Sequence, residues 1–158
     1  MPESRRLVLA DTAATECAGR ELAAALGHAE VQGACIYLHG DLGAGKTSLV
    51  RAVLNGLGYT GRVPSPTYTL VEPYEIESRR VFHLDLYRLA DASELEYLGI
   101  DEIAGSNALL FVEWPEHGAG RLPAPDLDIA LEVAGSGRNF ALQATSTTGQ
   151  TVLRHWPE

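Results

Sequence analysis

The chain has 158 residues, 46% of them hydrophobic and 21% charged, with a formal net charge of −9. That length predicts a single domain over residues 1–158, and no apolar run approaches the ~20 residues of a membrane span. So acidic a chain lacks the broad basic face of a nucleic-acid binder, and only Arg79, Arg80 and Arg88 offer local contacts of that kind.

Met1-Pro-Glu-Ser-Arg-Arg6 is followed by too short an apolar stretch for a secretory signal, so the expected location is cytoplasmic. Residues 5–10 read as a first strand. Asp11 or Thr12 then caps a helix to about residue 26, with Cys17, Ala18, Leu22, Ala25 and Leu26 facing inward. A linker over 28–33 leads to Ala34-Cys-Ile-Tyr-Leu-His39, a short apolar run that predicts a buried parallel strand. Cys17 and Cys35 form no C-x-x-C or metal-ligand pattern and are expected as buried free thiols. The five histidines are scattered and suggest no zinc site.

Gly40-Asp-Leu-Gly-Ala-Gly-Lys-Thr47 follows directly, and it fits G-x-x-x-x-G-K-[ST], the phosphate-binding P-loop. Lys46 is the only lysine of the chain; the other eleven cationic side chains are arginine. Backbone N–H groups of residues 42–47 can point at phosphate oxygens, where the following helix adds partial positive charge. Gly43 and Gly45 permit backbone conformations that a side chain resists. Asp41, Leu42, Gly43, Ala44, Gly45, Lys46, Thr47 and Ser48 are therefore candidate nucleotide-binding residues, with Lys46 on the β- and γ-phosphates and the Thr47 hydroxyl on Mg²⁺.

Residues 48–57 predict a helix with Leu49, Val50, Val53, Leu54 and Leu57 on one stripe, ended by Gly58. A loop over 58–66 follows. In Ser65-Pro-Thr-Tyr-Thr69, Thr67 could sense a γ-phosphate, or the segment could be a plain turn entering a strand. Strands are expected over 67–76 and 80–86, joined at Glu77-Ser78 as an antiparallel pair. Ser93-Glu-Leu-Glu96 fits a capping box, which predicts a short helix ending at Gly99. Residues 107–112 read as another buried strand, closed by Glu113-Trp-Pro115, and 116–125 as loop. Alternation over 127–133 and 140–144 predicts a hairpin with one wet face. The tail after Thr145 allows a short helix. Together the elements imply helices on both faces of a largely parallel sheet with added antiparallel strands.

A P-loop needs a carboxylate at the end of a neighbouring buried strand. Glu113 closes an apolar run, and Asp85 lies in His83-Leu-Asp-Leu-Tyr-Arg88. One would bind Mg²⁺ directly or through water, and the other would position or activate an attacking water. Trp114 is either an exposed contact residue or a core aromatic. With its single lysine already used, the chain cannot contain the N-K-x-D guanine-reading motif, which excludes an ordinary GTPase. A small-molecule kinase fits the length, with Arg79, Arg80, Arg88 or Arg121 as anion contacts, but no lid segment is visible. A nucleotide-switched interaction module also fits.

Four stretches, Gly40 to Thr47, Ser65-Pro-Thr-Tyr-Thr-Leu-Val-Glu72, His83-Leu-Asp-Leu-Tyr-Arg-Leu89 and Val112-Glu-Trp-Pro115, together closely resemble the bacterial tRNA threonylcarbamoyladenosine biosynthesis ATPase family, TsaE (formerly YjeE). The resemblance covers nearly the whole chain, and the second and third stretches are its most specific part. It implies an α/β P-loop nucleoside triphosphate hydrolase with a mostly parallel central sheet, flanking helices and added antiparallel strands. It further implies that the chain hydrolyses ATP with Mg²⁺, slowly by itself, to support turnover of the transferase partners TsaD and TsaB. By position, Lys46 and its loop bind phosphates, Thr47 and Glu113 hold Mg²⁺, and Asp85 is the second functional acid. Thr67 and Trp114 belong to a nucleotide-responsive surface, while Thr12 and Arg138 match positions near the adenine end of ATP.

Overall fold

The structure is a computed structural model, and it describes residues 4–28, 30–77, 79–104 and 107–157. Seven strands form one sheet: β1 (Ser4–Leu9), β2 (Ala34–His39), β3 (Val71–Ile76), β4 (Arg79–Asp85), β5 (Leu109–Glu113), β6 (Leu127–Ala134) and β7 (Gly137–Ala144). Their spatial order is β1-β7-β6-β2-β5-β4-β3. The expectation of a mostly parallel sheet is corrected here. Only β6–β2, β2–β5 and β5–β4 pair in parallel, while β1–β7, β7–β6 and β4–β3 are antiparallel. β6–β7 and β3–β4 are consecutive strands joined by short turns, which force the antiparallel direction, and β1 adds antiparallel to β7 from the far end of the chain.

Five α-helices accompany the sheet: α1 (Thr12–Leu26), α2 (Lys46–Gly56), α3 (Glu94–Tyr97), α4 (Ile100–Ala104) and α5 (Thr147–Arg154). Period-two alternation sends β-strand side chains to opposite faces, and two cores result. On one face Ile36, Leu38, Val81, Leu109 and Phe111 pack with Leu22, Leu26, Val50 and Val53 of α1 and α2. On the other face Cys35, Leu84, Leu110 and Val112 pack with Leu95 and Ile100 of α3 and α4. Helices therefore cover both faces, as expected. Among the described residues, no helix is long and apolar enough to cross a membrane.

Local chemistry explains most boundaries. Asp11 caps α1, its carboxylate accepting from the Ala14 N–H at 2.9 Å. The α2 stripe holds, with Leu49, Val50, Val53 and Leu54 buried and Leu57 half-buried at the cap. Three expectations fail. Cys17 is exposed rather than inward, although Cys35 is buried. Residues 67–69 form a turn, so β3 starts at Val71; Leu70 at φ 67° breaks the extended run before it. The capping box does not form. Ser93 is itself helical and makes no side-chain cap bond; its N–H donates to the Asp91 carboxylate at 2.9 Å, and Glu96 pairs with Arg121. The expected stop holds: α3 ends at Tyr97 with Leu98 as its cap, Gly99 takes φ 71°, and a separate helix, α4, begins at Ile100. Of the expected Glu77-Ser78 connection, Ser78 lies outside the described residues.

Candidate functional site

Residues 40–45 lead from the end of β2 into α2, so the glycine loop stands at the C-terminal edge of the parallel strands. Gly43 and Gly45 have φ of 81° and 107°, in open space where a Cβ would meet nothing within 4 Å. Backbone conformation alone therefore selects glycine there. Leu42 is exposed at the loop's outer side, and Ala44 is buried beneath it. Lys46 is buried at the first turn of α2. Its ammonium donates to the Gly40 carbonyl and lies 3.9 Å from the centre of the Trp114 ring. Burial pushes the Lys46 pKa down, and the negative charges of Glu113, Asp85, Glu116 and Asp41 oppose that shift.

Asp85 and Glu113 end β4 and β5 as direct register partners. Only 4% and 3% of their surfaces are exposed, so two acids are buried beside one lysine. Each carboxylate has its own donors. Glu113 Oε2 accepts from Thr47 Oγ1 at 2.9 Å and pairs with His83 Nε2 at 2.6 Å. Asp85 Oδ2 accepts from Thr67 Oγ1 at 3.0 Å, and its Oδ1 accepts from the Tyr87 N–H at 3.0 Å. Thr67 also shares a 2.8 Å hydroxyl contact with Ser65, and the Asp85 N–H donates to the Leu70 carbonyl. The 65–70 turn is thus tied to the end of β4.

Trp114 is half-buried and takes φ 56°, a left-handed conformation unusual for a large side chain. Its ring packs 5.1 Å from Tyr87 and 5.7 Å from His117, centre to centre. His117 is anchored by an Nδ1 contact to the Leu86 carbonyl at 2.8 Å. The tryptophan therefore joins the lysine to the surface segment after β4. Lys46, Thr47, Thr67, Asp85, Glu113 and Trp114 come together, although they are spread over 69 positions of sequence.

The other candidates lie around this centre. Thr12 and Ser48 line one groove of about 280 Å³ between α1 and α2, with Thr15, Arg20 and Arg51. Arg138, on β7, donates to the Ala44 carbonyl at 2.9 Å and to the Gly43 carbonyl at 3.2 Å, so it buttresses the glycine loop from outside. The arginines considered for anion contacts do not converge. Arg79 donates to the Leu26 and Val31 carbonyls, Arg80 lies over Phe82, Arg121 pairs with Glu96, and Arg88 stacks on Tyr68 at 4.5 Å. Away from the site, the scattered histidines do meet once. His28, Glu30 and His155 place ligand atoms within 4.8 Å of one another, but the two imidazoles stack face to face, which aims their in-plane lone pairs alongside rather than at one point.

His83 was not a candidate from sequence. The signal was there in its spacing: two residues before Asp85 on one strand, it must share that acid's face.

Comparison with known proteins places these features in a wider set. A family profile described as "Threonylcarbamoyl adenosine biosynthesis protein TsaE" matches residues 9–140. The chain is 45% identical over 118 residues to the tRNA threonylcarbamoyladenosine biosynthesis protein TsaE of Haemophilus influenzae, covering 75% of each chain. It is also 45% identical over 127 residues to the protein of that name from Synechocystis, covering 76% of this chain and 73% of the other. The crystal structure of Bacillus subtilis YdiB superposes with a TM-score of 0.81 at 26% identity, covering 99% of this chain and 95% of that one.

Proposed function

The chain belongs to the TsaE family of threonylcarbamoyl adenosine biosynthesis proteins, and from that premise we propose that it is the P-loop ATPase of tRNA threonylcarbamoyladenosine formation. One observation carries the reading. The Thr47 hydroxyl at the start of α2 meets Glu113 at the end of a fully buried strand, within a glycine loop that holds a buried lysine. Threonine, acid and lysine so arranged suit the phosphates and the cation of a nucleoside triphosphate.

Mg²⁺ fits the donor set. Two buried carboxylates against one ammonium leave the pocket with an excess negative charge, and hydroxyl and carboxylate oxygens are the hard ligands this cation prefers. Thr47 and Glu113 would hold it, with Asp85 beside them. When bound, it supplies charge neutralisation on the β- and γ-phosphate oxygens. Lys46 would leave the Gly40 carbonyl for phosphate, a short swing of a flexible side chain. Backbone N–H groups of residues 42–47 would cradle the α- and β-phosphates. Asp85 would orient the attacking water from its own strand end, because its carboxylate is bonded to Thr67 and Tyr87 while Thr47 is bonded to Glu113. Thr12 and Arg138 would flank the adenine end.

Hydrolysis would be slow in isolation. Arg88, beside the Thr67 turn, is held over the Tyr68 ring. Partner proteins, TsaD with TsaB, would use the ATP cycle to support their turnover, while the transferase chemistry stays with them. The net charge of −9 favours a protein partner over a direct grip on tRNA. The deciding experiment measures ATP affinity by calorimetry and phosphate release with and without the partner pair. ATP binding that needs Lys46, with phosphate release rising on partner addition, is the expected result. Phosphate transfer to a small-molecule acceptor, or no nucleotide binding, would overturn it.

A further inference from the structure

The buried ammonium of Lys46 has two carboxylates close by, yet among the described residues it pairs with neither. It bonds the Gly40 carbonyl and sits against the Trp114 ring instead. Two opposite charges in a weakly polarisable pocket attract strongly, so something must restrain the acids. Asp85 is restrained by Thr67 and by the Tyr87 backbone. Glu113 is restrained by Thr47, which the proposed nucleotide site itself uses, and by His83. Among the described residues, His83 is the one side-chain partner of Glu113 that has no other task there.

The geometry of His83 is specific. The ring is completely buried, with Nε2 2.6 Å from Glu113 Oε2. Nδ1 is also buried and has no hydrogen-bond partner among the described residues. A neutral ring with its proton on Nε2 satisfies the carboxylate and leaves only a bare lone pair on Nδ1. The opposite tautomer would bury an N–H with no acceptor and set a lone pair against the carboxylate, and both are costly.

We propose that His83 is a positioning residue: its Nε2–H pins Glu113 toward Thr47 and so keeps the acid from forming an ion pair with Lys46. Without that bond Glu113 turns to the lysine, which would then be lost to phosphate while Glu113 is lost to the cation. The role rests on the nucleotide-binding reading above. Residues that orient a cation-holding group typically contribute 10–100-fold in affinity.

The test separates donor position from bulk. In a side chain of similar length, the His83→Gln amide nitrogen stands near Nε2, whereas that of His83→Asn stands near Nδ1 and falls short of Glu113. Calorimetry gives the ATP affinity of each variant with Mg²⁺ and with EDTA, and thermal melting follows the fold. The gain in ATP affinity on adding Mg²⁺ should fall about tenfold in His83→Asn and be largely restored in His83→Gln. Equal behaviour of the two variants overturns the proposal, whether both match the unsubstituted protein or both fail. The unsubstituted protein provides a readout that needs no nucleotide: nitrogen-15 spectra should show His83 protonated on Nε2, with a slowly exchanging ring N–H. That protection should vanish in Glu113→Ala. Protonation on Nδ1 would overturn the proposal regardless of how the variants fold. Absence of ATP binding by the unsubstituted protein would instead sink the ATPase reading, with the tautomer still measurable.

Discussion

The tie between Thr67 and Asp85 fixes the 65–70 turn over the site, and its strength can be measured by a double-mutant cycle. Thr67→Val replaces the hydroxyl with a methyl of similar volume, and Asp85→Ala removes the acceptor. The bond is 3.0 Å long, and one end is a carboxylate with only 4% of its surface exposed. Hydrogen bonds to charged groups contribute about 1.5–3 kcal/mol. Thr67 is half-buried, so the coupling should lie toward the low side, about 1–2 kcal/mol. Thr67→Val alone should cost somewhat more, since its 2.8 Å contact with Ser65 is lost as well. Asp85→Ala alone should cost roughly 3 kcal/mol, because it also leaves the Tyr87 N–H contact unmade. Urea unfolding of the four proteins gives each value, and a 1.5 kcal/mol change moves the midpoint by about 0.5–1.5 M at ordinary slopes. The double variant should be less damaged than the sum of the singles by the coupling energy. Additivity within about 0.5 kcal/mol would refute the tie, since uncoupled sites behave that way.

Four further outcomes follow from the same geometry. An amine-reactive reagent should label Lys46 as the only lysine, and bound ATP should protect it; labelling unaffected by ATP would count against the loop as a phosphate site. Burial depresses the Lys46 pKa from its ordinary 10.5, so the unfolded chain holds that proton to higher pH than the folded one. The Lys46 contribution to stability should therefore rise with pH between the depressed value and 10.5, and Lys46→Met should abolish that alkaline slope in urea titrations. Exposed Cys17 should react with a thiol reagent in the native protein, whereas Cys35, pushed up to about 12 by burial with help from Asp126 and Asp128, should react only after unfolding. One thiol per native chain, and two in denaturant, is the count to expect. Arg138→Ala should cost about 1 kcal/mol and speed amide exchange in residues 42–45, because the Gly43 and Ala44 carbonyls lose their tether. Unchanged exchange there would remove Arg138 from the loop's support.

Local chemistry made much of this molecule legible along the chain. Residues 34–57 needed no tertiary information: an apolar strand, a glycine loop and a striped helix follow each other, and each is specified by its own residues. The Asp11 cap of α1 and the 127–144 hairpin are local in the same sense. Elements whose competing partners lie nearby were harder to read. Ser93-Glu-Leu-Glu96 fits a capping box in sequence, but the Ser93 N–H that Glu96 would accept is taken by the Asp91 carboxylate, and Glu96 pairs with Arg121. Cys17 lies between Glu16 and Ala18, and helical periodicity turned it outward with Glu16.

Sequence by itself therefore determined the loop, its lysine and threonine, and which acids close buried strands, since each depends on residues a few positions apart. The tertiary structure alone decided how these meet. Pairing β4 with β5 set Asp85 beside Glu113, and insertion of β6 and β7 between β1 and β2 made the sheet evenly mixed rather than mostly parallel. It also decided that His83, thirty positions before Glu113, would be its buried hydrogen-bond partner. Strand order and register arise from long-range burial of two opposed faces, and no short stretch of sequence carries that information.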